Sequence, residues 1–225
     1  MALILAIETT TRNCSVALFE NERLLALKEK YSDDYSHAEQ LTLFIEDVLK
    51  RGGTSLQEID GVALSKGPGS YTGLRIGTST AKGLCYSLDI PLVSVSTLKA
   101  MAYGMSQKID SQIYCPMIDA RRMEVFASFY DKSNNEIRGI QADIIDENIY
   151  DHFLKEKILF FGDGSLKCKN IIVNPNAYFI DNIFPSAKDI GALAYNKFLD
   201  NDYEDIAYFE PYYLKDFIAG VKKKF

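Results

Sequence analysis

Gly61-Val62-Ala63-Leu64-Ser65-Lys66-Gly67-Pro68-Gly69-Ser70-Tyr71-Thr72-Gly73-Leu74-Arg75-Ile76-Gly77 reads as a strand, a glycine-rich turn and the start of a helix. Gly61 to Ser65 is an apolar run of strand length, bounded by turn residues. The turn Gly67 to Thr72 interrupts it, and a helix is predicted from Thr72 to about Leu88. A strand over Pro91 to Val95 follows, and another helix opens at Ser96 or Thr97. Strand, helix, strand, helix is the order of a parallel sheet with helical crossovers.

Upstream of this stretch the period is two. Leu3 to Glu8, Cys14 to Phe19 and a run through Leu24, Leu25 and Leu27 are three short strands joined by the turns Thr9 to Asn13 and Asn21-Glu22. They form an antiparallel meander. Ser36-His37-Ala38-Glu39 then has the form of a capping box, in which hydroxyl and acid satisfy two orphan helix donors. Leu41, Phe44, Ile45, Val48 and Leu49 recur at helical spacing until Gly52-Gly53. Ser55-Leu56-Gln57-Glu58 repeats the capping form. The polar stretch Ser106 to Ser111 marks a junction. Beyond it, strands are expected over Ile113 to Ile118, Met123 to Tyr130, Ile137 to Ala142 and Ile158 to Phe161. A short helix is expected from about Glu147, a longer one over Ser186 to Leu199, and an extended segment around Tyr212-Tyr213-Leu214. The reading is an α/β fold of two lobes, 1–105 and 106–225, each a mixed sheet flanked by helices. The terminal segment is free to pack back on the first lobe.

Composition narrows the function. With 47 % apolar residues, 14 Tyr and 13 Phe, the 225-residue chain has the material for a core and lacks the signature of disorder. Asp and Glu number 31 against 25 Lys and Arg, a formal net charge of -6, so binding nucleic acid by phosphate neutralisation alone is disfavoured. The basic tail Lys222-Lys223-Lys224 is the one local exception, and a solvated tail is the favoured reading over an RNA contact. The four cysteines are scattered without a CxxC pair, which argues against a disulfide framework or a zinc site. Met1 to Glu8 lacks a basic leader and reaches an acid after seven residues, so it reads as a strand rather than a signal peptide. No apolar run reaches the length of a membrane span, and the expectation is a cytoplasmic protein.

Each candidate motif has two readings. The Gly67 to Gly77 turn exposes backbone N–H groups at a helix start, as an anion site would. It lacks the lysine of a Walker loop and the glycine spacing of a dinucleotide fingerprint, so a simple capped turn fits equally. Gly73, Gly77 and Ala81 form an i, i+4, i+8 stripe, and glycine inside a helix costs about 1 kcal/mol against alanine. Something must pack close to that stripe: the sheet beneath it or, the reading favoured on the sequence, a helix of another subunit. Glu8-Thr9-Thr10 could hold a magnesium nucleotide or be an ordinary polar turn. Asp119-Ala120-Arg121-Arg122-Met123-Glu124 is either a salt-bridged turn or a ligand-facing loop. The two histidines, His37 and His152, stand apart, and neither HExxH nor GxSxG is present.

In their order along the chain, Ile4-Leu5-Ala6-Ile7-Glu8-Thr9-Thr10, Gly67 to Gly77, Pro91-Leu92-Val93-Ser94-Val95-Ser96-Thr97-Leu98, Asp119 to Phe126 and Pro211-Tyr212-Tyr213-Leu214-Lys215 resemble the TsaB (YeaZ) family. The resemblance covers nearly the whole chain. It implies an actin-like ATPase (ASKHA, ribonuclease-H-like) fold and a non-catalytic subunit of the machinery that forms threonylcarbamoyladenosine in tRNA beside the anticodon. The implied partners are TsaD, which transfers the threonylcarbamoyl group, the ATPase TsaE and, indirectly, TsaC and the tRNA itself. A homodimer is the alternative assembly in isolation, and the resemblance implies no membrane.

The interface implied by the resemblance lies on the two helices 37–50 and 72–88. Its candidate residues are His37, Leu41, Phe44, Val48, Tyr71, Gly73, Leu74, Arg75, Gly77 and Ala81. Candidate phosphate contacts are Glu8, Thr9, Thr10, Gly67 and Gly69, with ATP or ADP and Mg at the interface of the complex and no tightly bound cofactor. TsaD holds a metal through two histidines four residues apart; the matching positions here are Thr97 and Met101. The competing expectation is a stand-alone nucleotide hydrolase or kinase-like enzyme of the same fold. A peptidase, an old label for relatives of this family, finds no zinc motif or nucleophile–base pair here.

Overall fold

The computed structural model describes residues 1–32 and 37–215. Ser36 of the expected capping box and the basic tail at 222–224 lie outside the described residues. The first sheet is built from β1 (Leu3–Glu8), β2 (Asn13–Glu20), β3 (Arg23–Tyr31), β4 (Gly61–Ser65) and β5 (Leu92–Val95), in the spatial order β3-β2-β1-β4-β5. The first three strands run antiparallel, and β4 and β5 extend the sheet in parallel. Helices α1 (His37–Gly52) and α2 (Tyr71–Leu88) supply the crossovers.

The second sheet repeats that plan. β6 (Ile113–Asp119), β7 (Glu124–Asp131), β8 (Glu136–Ile144), β9 (Ile158–Phe161) and β10 (Ala177–Ile180) take the order β10-β9-β6-β7-β8, with the same mix of antiparallel and parallel pairs. Strand for strand, β6 stands where β1 does and β9 where β4 does. This repeat of topology has no counterpart in sequence similarity between the halves.

The crossovers differ. Where the first lobe has α1, the expected helix from Glu147 is replaced by a run of turns over 147–155. Side-chain anchoring explains the difference. The Tyr150 hydroxyl donates to Asp143 at 2.7 Å and Phe153 stacks on Phe129 at 4.4 Å, so packing overrides local helix preference. Where the first lobe has α2, the second has one 3₁₀ turn, Leu166–Cys168. The four-residue β10 was not anticipated, because its short apolar run follows Asn174-Pro175-Asn176 and lies half-buried at the sheet edge.

Two apolar layers hold the first sheet, one on each face. Leu5, Ile7, Val16 and Leu18 face Leu41, Phe44, Val48, Ala81 and Cys85 of α1 and α2. The opposite face, through Ile4, Ala6, Ala17 and Val93, packs on Ala187, Ile190 and Ala194 of α4 (Ala187–Leu199). The last helix thus returns to the first sheet. Helix α3 (Thr97–Ser106) does the reverse, packing Leu98, Met101, Ala102 and Met105 against Tyr114, Ile118, Phe126 and Phe161 of the second. Gly104 of α3 and Asp189 of α4 meet closely enough that a Cβ on Gly104 would lie 2.4 Å from the Asp189 carboxylate.

Candidate functional site

A cleft of about 670 Å³ opens between the two sheets. Thr10, Thr11 and Arg12 line it from the β1–β2 turn, and Gly69 to Thr72 from the start of α2. The second lobe adds Asp119, Ala120 and Arg121 from the β6–β7 turn, and Asp163 from the loop after β9. These are equivalent places in the two lobes: a hairpin turn and a Gly-x-Gly loop from each. Gly67 and Gly162, which open the two loops, have φ of +105° and +106°, a region that favours glycine.

On the first-lobe side the polar residues are committed to one another. Glu8 is fully buried and accepts from Thr10 N–H at 2.5 Å and Thr10 Oγ1 at 2.6 Å. Among the described residues its Oε2 and the Ser65 hydroxyl find no partner in good hydrogen-bond geometry, and the contact between the two is a weak one. Burial outweighs the pull of Thr10 and the weaker pull of Ser65, and raises the Glu8 carboxyl to about 7. Thr9 Oγ1 donates to Gly73 O at 2.8 Å, and Ser70 N–H donates to Thr10 O at 2.6 Å. Of the five candidate phosphate contacts, Thr10 and Gly69 line the cleft. Glu8, Thr9 and Gly67 do not, a correction with a plain cause. Glu8 is turned inward, Thr9 is spent on α2, and Gly67 lies against the backbone oxygen of Tyr212, 2.9 Å from where a Cβ would be.

On the second-lobe side, sequence spacing missed the residue that organises the turn. Lys167 Nζ pairs with Asp119 and donates to Arg122 O and Glu124 O, both at 2.7 Å. Asp119 Oδ1 also accepts from Arg121 N–H at 2.9 Å. Together they hold Arg121 and Arg122 at φ of 68° and 50°, a left-handed pair that non-glycine residues adopt only when their surroundings insist. Both readings of this motif therefore hold: it is salt-bridged, through Lys167, and it faces the cleft. Asp163, another residue missed, is exposed to the cleft; its Oδ1 accepts from Asp119 N–H at 3.0 Å, and the desolvation it meets there shifts its carboxyl upward. Among the described residues no three His, Cys, Asp or Glu side chains come together in a way that could hold a metal ion.

A family model described as "TsaD: tRNA N6-adenosine threonylcarbamoyltransferase" matches residues 33–223. The tRNA threonylcarbamoyladenosine biosynthesis protein TsaB of Escherichia coli (strain K12) is 30 % identical over 228 aligned residues, covering 97 % of each chain. The chain belongs to the TsaB (YeaZ) family. That family serves tRNA threonylcarbamoyladenosine biosynthesis, and the TsaD model marks the wider family to which it also belongs. A solved Pseudomonas aeruginosa protein, described as similar to peptidase YeaZ, superposes with a TM-score of 0.82 at 25 % identity, covering 96 % of this chain and all of that one. The activator of 2-hydroxyisocaproyl-CoA dehydratase from Clostridium difficile, solved with bound ADPNP, superposes at 0.54 with 8 % identity, covering 89 % and 97 %. This last likeness is one of fold, the actin-like ATPase fold of two mixed sheets flanked by helices.

The helices named for a TsaB interface turn most of the chosen residues inward. The glycine stripe meets the chain's own hairpin: a Cβ on Gly73 would lie 2.0 Å from Thr9 O, and one on Gly77 2.4 Å from Thr9 Oγ1. Ala81, Leu74, Leu41, Phe44 and Val48 are buried in the first lobe's own interior. His37 is also buried, its Nε2 2.7 Å from Thr11 O, and burial lowers its pKa. These eight are corrected from interface to core. The sheet beneath the helix accounts for the stripe. Tyr71 is half-buried and Arg75 exposed, with the guanidinium 4.1 Å from the Tyr71 ring centroid. The outward faces of α1 and α2 instead present Leu43, Arg75, Ser79, Gly83 and Tyr86. Leu43 is 61 % and Tyr86 85 % exposed, and the space above Gly83 is empty to 4 Å. No helix among the described residues is long and apolar enough to cross a membrane.

Proposed function

We propose that the chain is a non-catalytic subunit that binds TsaD and supports threonylcarbamoyl transfer to tRNA. The observation that carries this reading is the pair Thr97 and Met101. These positions match the two metal-binding histidines of TsaD by resemblance, and both are buried here, Met101 inside the apolar cluster between α3 and the second sheet. A thioether and a hydroxyl in that place are poor ligands for a hard or borderline catalytic metal. Glu8 adds support. A carboxyl raised to about 7 and closed off from the cleft is ill-placed to hold magnesium.

TsaD is the direct partner in this proposal, through the outward faces of α1 and α2, with a homodimer through the same faces in its absence. TsaE, TsaC and the tRNA are reached through TsaD in the cytoplasm. ATP or ADP with Mg belongs to the assembled complex. The open space above Gly83 would let a partner helix approach α2 closely, with exposed Tyr86 on the same helix and Leu43 on α1 as anchors.

Size-exclusion chromatography with light scattering, on the chain alone and mixed with its cognate TsaD, tests this. A one-to-one complex formed at the expense of any homodimer is expected. No association, with or without TsaE and nucleotide, would discard the proposal. The cleft and the fold it shares with an ADPNP-bound activator favour the alternative of a stand-alone nucleotide enzyme. Calorimetry with Mg-ATP on the isolated chain separates the two, since the scaffold reading expects no binding at millimolar nucleotide.

A further inference from the structure

Tyr212, Tyr213, Leu214 and Lys215 lie along one wall of the cleft. We propose that residues 204–215 form a latch that ties the two lobes together across the cleft and sets how far it opens. After α4 the chain returns along the free edge of the first sheet. Glu204 N–H donates to Leu92 O at 2.8 Å, and the Glu204 carboxylate accepts from Ser94 Oγ. Lys82 Nζ on α2 then holds Ala207 O at 3.3 Å and Phe209 O at 3.1 Å, while the Phe209 ring sinks into the first core. Tyr212 N–H donates to Lys66 O at 2.7 Å, and the Tyr213 ring lies 5.0 Å from that of Tyr71.

Two residues later the strap reaches the other lobe. Leu214 joins the apolar cluster of Ile118 and Phe126, and Lys215 pairs with Glu124 on β7. The two ends are unequal. The first-lobe end is fixed by several backbone hydrogen bonds and a buried ring. Among the described residues the second-lobe end rests on one partly buried leucine and an ion pair whose lysine is 47 % exposed. Exposed ion pairs hold weakly, so the strap opens at Leu214-Lys215 and stays anchored at Tyr212. Strand pairing at the β5 edge does not require the chain to continue as far as β7. A strap that served only to cover that edge would have no need to enter the cleft.

The test uses the full chain with spin labels at Glu46 on α1 and Ile144 on β8, both exposed. The four native cysteines are buried. Electron–electron distances are compared for the parent, Lys215→Glu, Tyr213→Ala, and Lys215→Glu combined with Glu124→Lys. The parent is expected to give one narrow distribution and both single variants a broader one reaching longer distances. Hydrogen exchange at the Tyr212 amide is expected to speed up about tenfold in Tyr213→Ala while the Val16 amide in β2 is unchanged. The charge-swapped pair is expected to return the narrow distribution. Should Tyr213→Ala loosen Val16 as well, Lys215→Glu, an exposed change, decides the matter alone. Parent-like distances in Lys215→Glu, or failure of the swapped pair to close again, would overturn the latch.

Discussion

The two lobes share one strand order and part company at their crossovers. The first sheet is covered by a 16-residue and an 18-residue helix; the second has turns and a single 3₁₀ turn in the same places. The acids that close the equivalent strands differ in the same sense. Glu8 at the end of β1 is sealed inside, while Asp119 at the end of β6 is exposed and paired with Lys167. A shared topology therefore fixes where the cleft lies, and side-chain burial decides which wall is rigid interior and which is adjustable surface. The first lobe spends its polar turn on internal packing and keeps two helices whose outer faces are free. The second keeps its charges at the cleft.

The largest expected effect tests the rigid wall. Gly73→Leu places a branched side chain where Thr9 O already stands 2.0 Å from the Cβ position, so backbone must move. A loss of about 3 kcal/mol or more is expected in urea denaturation, as overpacking against backbone demands. Gly83→Leu, nearly three turns along the same helix but facing open space, is expected to stay within about 1 kcal/mol of the parent. Equal losses in the two variants would mean that α2 does not sit on the hairpin as described.

Glu8 sharpens the contrast through pH. Its folded carboxyl titrates near 7 against an ordinary 4.5, so between those values the folded state binds more protons than the unfolded state. Stability is therefore highest below about pH 4.5 as far as this group is concerned, and falls as pH rises toward 7, by about 3 kcal/mol in all. Glu8→Gln, which keeps the shape and cannot ionise, is expected to flatten that slope and to be more stable than the parent at pH 8. Denaturation midpoints measured from pH 4.5 to 8 check it; an unaltered slope in Glu8→Gln would place the titrating group elsewhere.

Much of this was legible in the sequence, and the rest was hidden for identifiable reasons. The first-lobe order could be read because period-two strands, a glycine stop and helical spacing all agree over 1–105. The Glu147 segment misled because Tyr150 and Phe153 are pinned to Asp143 and Phe129, contacts that local sequence does not record. The glycine stripe correctly announced a close approach, and periodicity alone could not say from which side. What approaches is Thr9, some sixty residues earlier, a contact that only the folded chain brings about. The roles of Lys167 and Lys215 were invisible for the same reason: each pairs with an acid far away in sequence, a contact that spacing does not record.

The free faces of α1 and α2 carry the next prediction. Under the proposed assembly, Tyr86→Ala or Gly83→Arg is expected to weaken TsaD binding about tenfold, or roughly 1.4 kcal/mol, with little change in the stability of the isolated chain. Titration calorimetry against TsaD reads the affinity, and unfolding midpoints supply the control. Full affinity in both variants would move the interface off these helices. Val48→Ala, a change once expected at the interface, is instead expected to cost stability and leave the affinity of the folded fraction intact, because Val48 is buried against β2.

The smallest effect belongs to the adjustable wall. Asp119→Asn removes one charge from a pair whose acid is 47 % exposed, and such surface pairs contribute about 0–1 kcal/mol. Asparagine keeps an oxygen able to accept from Arg121 N–H, so the turn itself should survive. What changes is the hold on Lys167, which also donates to two backbone oxygens of the left-handed Arg121-Arg122 turn. The expected result is a stability change below about 1 kcal/mol in urea denaturation, with faster hydrogen exchange confined to residues 119–124. A loss as large as that of Gly73→Leu would show that the second-lobe wall is as tightly determined as the first, and the contrast drawn between equivalent strand ends would fail.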